Sequence, residues 1–248
     1  SILLTTVDFS ECPLLRSLHD YAFYNCHALE SITLPQGFEC IMNGCFSGCV
    51  SLRHINLEPT ITTIGPYSFN GCRSLKHVVV PPLVTVLGIS CFAGSGIESI
   101  VIPRTLEVIN YSAFGYCLKL KFIDIPEGPK LLTIEQNAFA NSSVEVLNIC
   151  RDALILRHGS FSSCCLLHKI ICQSTRVLLS SSVFLGSQLK LAVFTGHVGF
   201  VGNPFIYCRH LLGIWIGSYS SPAAEFLQKL TMNHIQIIVI GKRILRAP

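Results

Sequence analysis

Phenylalanine recurs along this chain at Phe23, Phe46, Phe69, Phe92, Phe114, Phe139, Phe161, Phe184 and Phe205, at intervals of 23, 23, 23, 22, 25, 22, 23 and 21 residues. A period of this length restricts the chain to an array of stacked units, because one such unit is too short to bury its own apolar face. Other positions repeat with the anchor. A small residue precedes it (Ala22, Cys45, Ser68, Cys91, Ala113, Ala138, Ser160). Three residues after it stands cysteine (Cys26, Cys49, Cys72, Cys117, Cys164, Cys208) or serine (Ser95, Ser142, Ser187). Each serine unit is also one residue shorter before its next apolar position, so the substitution and the deletion travel together.

After the anchor runs an L-x-x-I-x-I pattern, often closed by proline: Leu29, Ile32, Leu34, Pro35; then Leu75, Val78, Val80, Pro81; then Leu120, Ile123, Ile125, Pro126. Alternation at period two with β-branched residues marks a short strand, and a proline that cannot donate to a ladder stops it. A further apolar residue recurs five places before each anchor, from Leu18 through Ile64 to Phe200. Nine units with a strand each predict a leucine-rich-repeat solenoid, with one parallel β-strand per repeat and short helical or irregular convex segments. Phe and Leu then form ladders behind one long sheet.

Leu4, Val7 and Phe9 fit the strand of a partial first coil, which gives a solenoid over residues 1–220 of one partial coil and nine repeats. Ser221-Pro222 is a helix start, with Ser as N-cap and Pro at the first helical position. Phe226, Leu227 and Leu230 fall on one face of that helix, and Ile235 to Ile240 reads as a last strand. Helix and strand together predict a C-terminal cap over 221–248, which a solenoid needs to shield its last coil.

The unit x-I-x-x-x-A-F-x-x-C-x-x-L-x-x-I-x-I-P, of which Leu106 to Pro126 (LEVINYSAFGYCLKLKFIDIP) is a near-complete copy, resembles the BspA-like leucine-rich repeat. The resemblance covers roughly residues 3–216 and weakens after Cys150, where the closing prolines vanish. It implies a non-enzymatic binding protein of the kind displayed on cell surfaces and linked to adhesion, and hence a secreted or surface location.

Composition bears on what the array does. Half the chain is hydrophobic and 13% is charged, with 18 Lys+Arg against 14 Asp+Glu and a net charge of +4. Disorder is excluded by this balance. Membrane insertion is not expected, because no apolar stretch approaches the ~18 residues of a spanning helix. A charge of +4 spread over ten coils is no basic stripe, so nucleic acid is not an expected partner. Stacked coils account for the apolar content but not for the shortage of charge, which predicts that part of the solenoid, foremost its C-terminal half, is normally covered.

Thirteen cysteines make complete intramolecular pairing impossible. Nine fall in inward slots, where a free cysteine acts as a small buried hydrophobe. The alternative is a disulfide ladder between coils one strand spacing apart, about 4.8 Å, but the serine exchanges would leave its partners unmatched. Cys164 and Cys165 should point to opposite sides. His54 and His77 share an outward column, and two imidazoles there could approach a metal, but catalytic zinc needs a third protein ligand and the next position is Ser99. No cofactor is implied. No Walker loop, G-x-G-x-x-G or G-x-S-x-G motif occurs, so no enzyme is expected. Asn110-Tyr111-Ser112 and Asn141-Ser142-Ser143 match the N-glycosylation acceptor, which matters only on a secretory route.

The outward strand positions escape the repeat constraint and are therefore the most informative. Early coils place a polar, partly basic set there, Arg53, His54, Lys76 and His77. Later coils place Phe122, Val146, Ile171, Leu191, Val193 and the only tryptophan, Trp215. Exposed apolar patches mark interaction sites, and interface centres are enriched in aromatics. These six residues are the expected protein-binding surface, unless further chain folds back over the face. The partner is expected to be a protein, either in a surface adhesin or in an intracellular scaffold within a larger, for example cytoskeletal, assembly.

Overall fold

The computed structural model describes residues 4–128, 130–219, 224, 227–228 and 235–239. Among these residues the chain winds as a parallel β-solenoid with almost no helix. Each coil crosses a front strand carrying the L-x-x-I-x-I pattern, for example Ser31–Thr33 and Ser99–Val101. It then turns and crosses a second, back strand such as Cys40–Ile41 or Val108–Ile109. The recurring apolar residue five places before each anchor is the buried member of that back strand: Ile41, Ile64, Leu87, Ile109, Ile134 and Leu156 are all almost fully buried. Back strands from Ser17–Leu18 to Arg176–Ser180 pair in parallel without interruption.

The anchors form the predicted ladder. Phe46 through Phe184 are completely buried, and successive rings from Phe23 to Phe205 lie 5.0–6.1 Å apart with planes within 22° of parallel. At those separations the rings are offset, the arrangement favoured by their quadrupoles. The convex segment is a pair of tight turns rather than a helix. Residues two before and two after an anchor take left-handed backbone, as at Tyr67 (φ 57°), Asn137 (φ 56°), Asn25 (φ 56°) and Tyr116 (φ 59°). Backbone bonds link adjacent coils here as well: the Phe46 amide donates to the Ser68 carbonyl at 2.8 Å and that of Phe69 to Cys91 at 2.7 Å.

Front strands, by contrast, form an interrupted ladder. Thr6–Asp8, Ser31–Thr33 and His54–Ile55 make one sheet, and His77–Val79, Ser99–Val101 and Phe122–Asp124 make another. Val146–Ile149 begins the third stretch, which runs through Lys169–Cys172. Ile55, Leu57 and Ile123, beside the two breaks, are only partly buried, whereas most other inward front positions are closed from solvent. The second break coincides with the 25-residue interval, whose extra residues fall near Gly128.

Toward the C-terminus front and back sheets fuse. Strand Leu191–Val201 pairs with Lys169–Cys172 through its first half and with Arg176–Ser180 through its second, with a register shift between Phe194 and His197. The sequence permits it: Thr195 here and Gly217 in the next coil replace the proline that closes several earlier front strands, although the coils with Glu58, Cys150 and Gln173 at that position keep separate front and back strands. With an amide to donate, the strand continues round the corner. A side chain has no room there, since a Cβ on Gly217 would come 1.9 Å from the Thr195 carbonyl oxygen.

Strand Gln236–Val239 pairs in parallel with Gly213–Ile216 and continues the front row where a last strand was expected. Ala224, Leu227 and Gln228 are helical. The helix start at Ser221-Pro222, together with Phe226 and Leu230, lies outside the described residues.

Candidate functional site

Strand register decides which of the expected binding residues meet. Ile171, Val193 and Trp215 are direct neighbours in one row. Val146, Lys169 and Leu191 form the row beside it, so a lysine separates its two apolar members. Phe122 pairs with Ser99, and no front ladder joins it to Val146. Five of the six residues thus gather at the C-terminal end, with Phe122 apart from them. Trp215 is 41% exposed and Phe122 66%, while Val146, Ile171, Leu191 and Val193 are half-buried by their neighbours.

Two residues that sequence reasoning left out of the patch are among the most exposed aliphatics of the front face: Val79 at 66% and Val101 at 39%. They pair with each other, and Phe122 stands in the adjoining column opposite Ser99. Their signal was present in the outward column, but two valines in a strand pattern look like ordinary sheet formers.

The early polar set lines a groove of about 830 Å³ that straddles the first ladder break, with Arg53, His54 and Ile55 on one side and Lys76 and His77 on the other. Arg73 and Lys119, which the sequence reading did not single out, complete it. A signal for them existed. Between their coils lies the shortened Ser95 unit, which lacks the residue corresponding to Ser74 and Lys119. Gly96 there packs so tightly that a Cβ would come 1.9 Å from the Arg73 carbonyl oxygen. The chain is drawn in at that coil while its neighbours stand proud. His54 and His77 both line the groove, but no front ladder pairs their strands, and His77 Nδ1 lies 2.9 Å from Ser99 Oγ. Among the described residues, no group of three or more His, Cys, Asp or Glu side chains is gathered to hold a metal.

Exposed ion pairs stitch neighbouring coils along the face, Lys76 to Glu98 and Lys121 to Glu145, each at 3.3 Å. Pairs this exposed stabilise by about 0–1 kcal/mol.

The cysteine register has a specific physical role. Sγ of Cys49, Cys72, Cys117, Cys164 and Cys208 donates to the carbonyl of the preceding coil's anchor phenylalanine, at 3.0–3.2 Å. Each register serine sits one coil before a cysteine and lies 3.4–3.5 Å from its sulfur. The two residue types share a small buried slot but not a partner, since the serine hydroxyls face the sulfur of the following coil. Burial pushes the Cys45 and Cys49 thiols up to about 12 and those of Cys117, Cys164 and Cys208 to about 11, so none is a nucleophile at neutral pH. All thirteen cysteines are free; Cys164 is buried and Cys165 exposed.

Arg151 is buried to 2% exposure. Nη1 and Nη2 donate to the carbonyls of Arg104 and Pro103 at 2.6 and 3.0 Å, two coils away, while Nε has no partner. Burial and the nearby Arg104 charge lower its pKa. It fills the space beside the 25-residue interval and ties three coils together.

A family model described as the BspA type leucine rich repeat region matches six copies over residues 2–121 and 85–211. No curated protein matches the sequence. Among solved structures, a leucine-rich repeat protein of Bacteroides ovatus is 22% identical over 82% of this chain, at a TM-score of 0.61. This chain spans 59% of the length of that protein. A leucine rich cell surface protein of Faecalibacterium prausnitzii is 20% identical over 96% of this chain and 84% of its own, at a TM-score of 0.40. The pneumococcal vaccine antigen PcpA is 18% identical over 93% of this chain and 72% of its own, at 0.48. Among the described residues no helix is long and apolar enough to cross a membrane.

Proposed function

The chain belongs to the BspA-type leucine-rich repeat proteins, and from that premise we propose that it is a non-enzymatic module that takes a protein partner on the exposed face of its front sheet, in a surface adhesin. One observation carries the reading: Ile171, Val193 and Trp215 stand side by side on a face where the repeat requires no apolar residue. The solenoid core closes behind that face without them, so their burial is left for a partner to complete. The shortage of charge in the chain supports the same reading. An intracellular scaffold is the second reading, favoured by thirteen free cysteines of which Cys12 and Cys165 are exposed, since reducing compartments keep thiols unpaired.

The test uses the immobilised chain to capture a partner, which is then purified and titrated against wild type and against Trp215→Ala and Phe122→Ala. An aromatic at an interface centre is worth about 2 kcal/mol or more, roughly thirtyfold in Kd. Loss of that order in Trp215→Ala supports the reading. Unchanged affinity in both variants refutes it. Glycan mass on Asn110 or Asn141 in the native host would decide for the surface setting.

A further inference from the structure

The groove across the first ladder break joins two unlike surfaces. Its rim carries Arg53, Arg73 and Lys119, none of which has an ion-pair partner among the described residues, and no carboxylate lines it. Lys76 also lines it but is held by Glu98. In a chain with only 18 basic residues, three unpaired cations on one groove form a concentrated positive field. Alongside, Val79 and Val101 pair in one row that ends at Asp124, and Phe122 stands in the neighbouring row with His77 and Ser99; all three apolar side chains are exposed. Leu118, 68% exposed, lies beside Phe122 in an adjoining hollow that shares His77 and Lys119 with the groove and is also lined by Lys121 and by Glu98, the partner of Lys76.

We propose that this groove binds an extended acidic peptide segment that carries apolar residues at alternate positions. The inference rests on the reading that the front face binds protein, and it names the chemistry of the partner. The three cations precede their front strands, whereas Val79, Val101 and Phe122 lie on the strands, so the two groups form adjoining bands across the coils, the apolar one bounded by Asp124. From the His54 strand to the Phe122 strand the bands cover three coil steps of about 4.8 Å each, so an extended chain at about 3.3 Å per residue crosses them in about four to five residues. Side chains of an extended segment alternate between its two edges. Carboxylates on one edge would meet Arg53, Arg73 and Lys119, accepting bidentate hydrogen bonds from the two guanidinium groups. Aliphatic or aromatic residues on the other edge would cover Val79, Val101 and Phe122. A sulfated glycan or a nucleic acid would satisfy the cations but leave the apolar band in water. The shortened Ser95 coil, whose Gly96 lies against the Arg73 carbonyl, borders the recess.

The experiment measures fluorescence anisotropy of a labelled peptide alternating glutamate with valine, leucine and phenylalanine, titrated with the full chain. Controls are the same peptide with lysine in place of glutamate, heparin, and a thymidine oligonucleotide. Binding of the glutamate peptide, weakened at least tenfold by Arg73→Glu with Lys119→Glu, by Phe122→Ser, and by 0.5 M salt, is the expected result. Trp215→Ala should leave it unchanged. If the charge reversals unfold the chain, Arg73→Gln with Lys119→Gln takes their place and must still weaken binding severalfold. Absent peptide binding, equal binding of the lysine peptide, or tighter binding of heparin or oligonucleotide than of the glutamate peptide would each overturn the proposal. A captured partner that still depends on Trp215 while the peptide fails to bind would overturn this inference and leave the wider reading standing.

Discussion

Replacing Phe114 with alanine removes a ring that is fully buried and stacked on Phe92 at 5.3 Å and on Phe139 at 5.0 Å. Truncating a buried phenylalanine costs about 3–5 kcal/mol, and ring pairs of this geometry contribute about 0.5–1.5 kcal/mol each beyond area, which places Phe114 in the upper part of that range. Coils of a solenoid contact only their neighbours, so stability is close to a sum of unit and interface terms. A loss of this size at one interface uncouples the coils before it from those after it. Trp215, the single tryptophan, then reports only on the later block, while far-ultraviolet circular dichroism reports on both. In urea, wild type should give coincident transitions by both probes. Phe114→Ala should give a dichroism curve that splits or broadens, with the tryptophan transition close to its wild-type midpoint. A single coincident transition shifted by less than about 1 kcal/mol, well short of the cavity cost, would refute nearest-neighbour stacking on the ring ladder.

Two further outcomes follow from the core. Buried thiols in the register have folded pKa values raised to about 11–12, above the usual thiol value of about 8.5. Their contribution to stability is therefore complete below that value and is lost as pH rises through the folded values. Thermal midpoints should fall steeply between about pH 9 and 12, and Cys117→Ser should lessen the fall; a flat alkaline profile would contradict the burial. Gly96→Ala drives a Cβ to 1.9 Å from the Arg73 carbonyl oxygen, so the backbone must shift at a cost of about 1–3 kcal/mol. Denaturant unfolding should show that loss, whereas Gly94→Ala, with nothing within 4 Å of the added carbon, should lose less despite its left-handed φ of 64°.

The anchor ladder was legible because every coil returns the same atom to the same place, so one residue type repeats. The Cys/Ser exchange was legible as a register, although the bonds it makes, cysteine to the preceding anchor's carbonyl and serine to the following coil's sulfur, needed coordinates. Back strands such as Cys40–Ile41 and Val86–Leu87 are two residues long, too short for alternation to show, and only their buried apolar member recurred. Left-handed turn positions hold Tyr67, Ser90, Asn137 and Gly44 alike, so no residue preference announced them. Outward alternation was enough to bring Ile171, Val193 and Trp215 together. Ladder breaks were invisible, because pairing between His54–Ile55 and His77–Val79 depends on how two backbones approach rather than on either sequence. Hence Arg53 and Arg73, on either side of the first break, were not seen as rims of one groove.

Covalent footprinting of side chains in the presence of a purified partner tests the central claim most directly, because the molecule carries its own controls. Trp215 and Phe122 stand on the front face, while Tyr21, Tyr67, Tyr116 and Tyr207 are exposed at the convex turns. Partner binding on the front sheet predicts that labelling of Trp215 and Phe122 falls severalfold while those four tyrosines stay at their free-chain level. Protection of the tyrosines with Trp215 and Phe122 still fully labelled would contradict it.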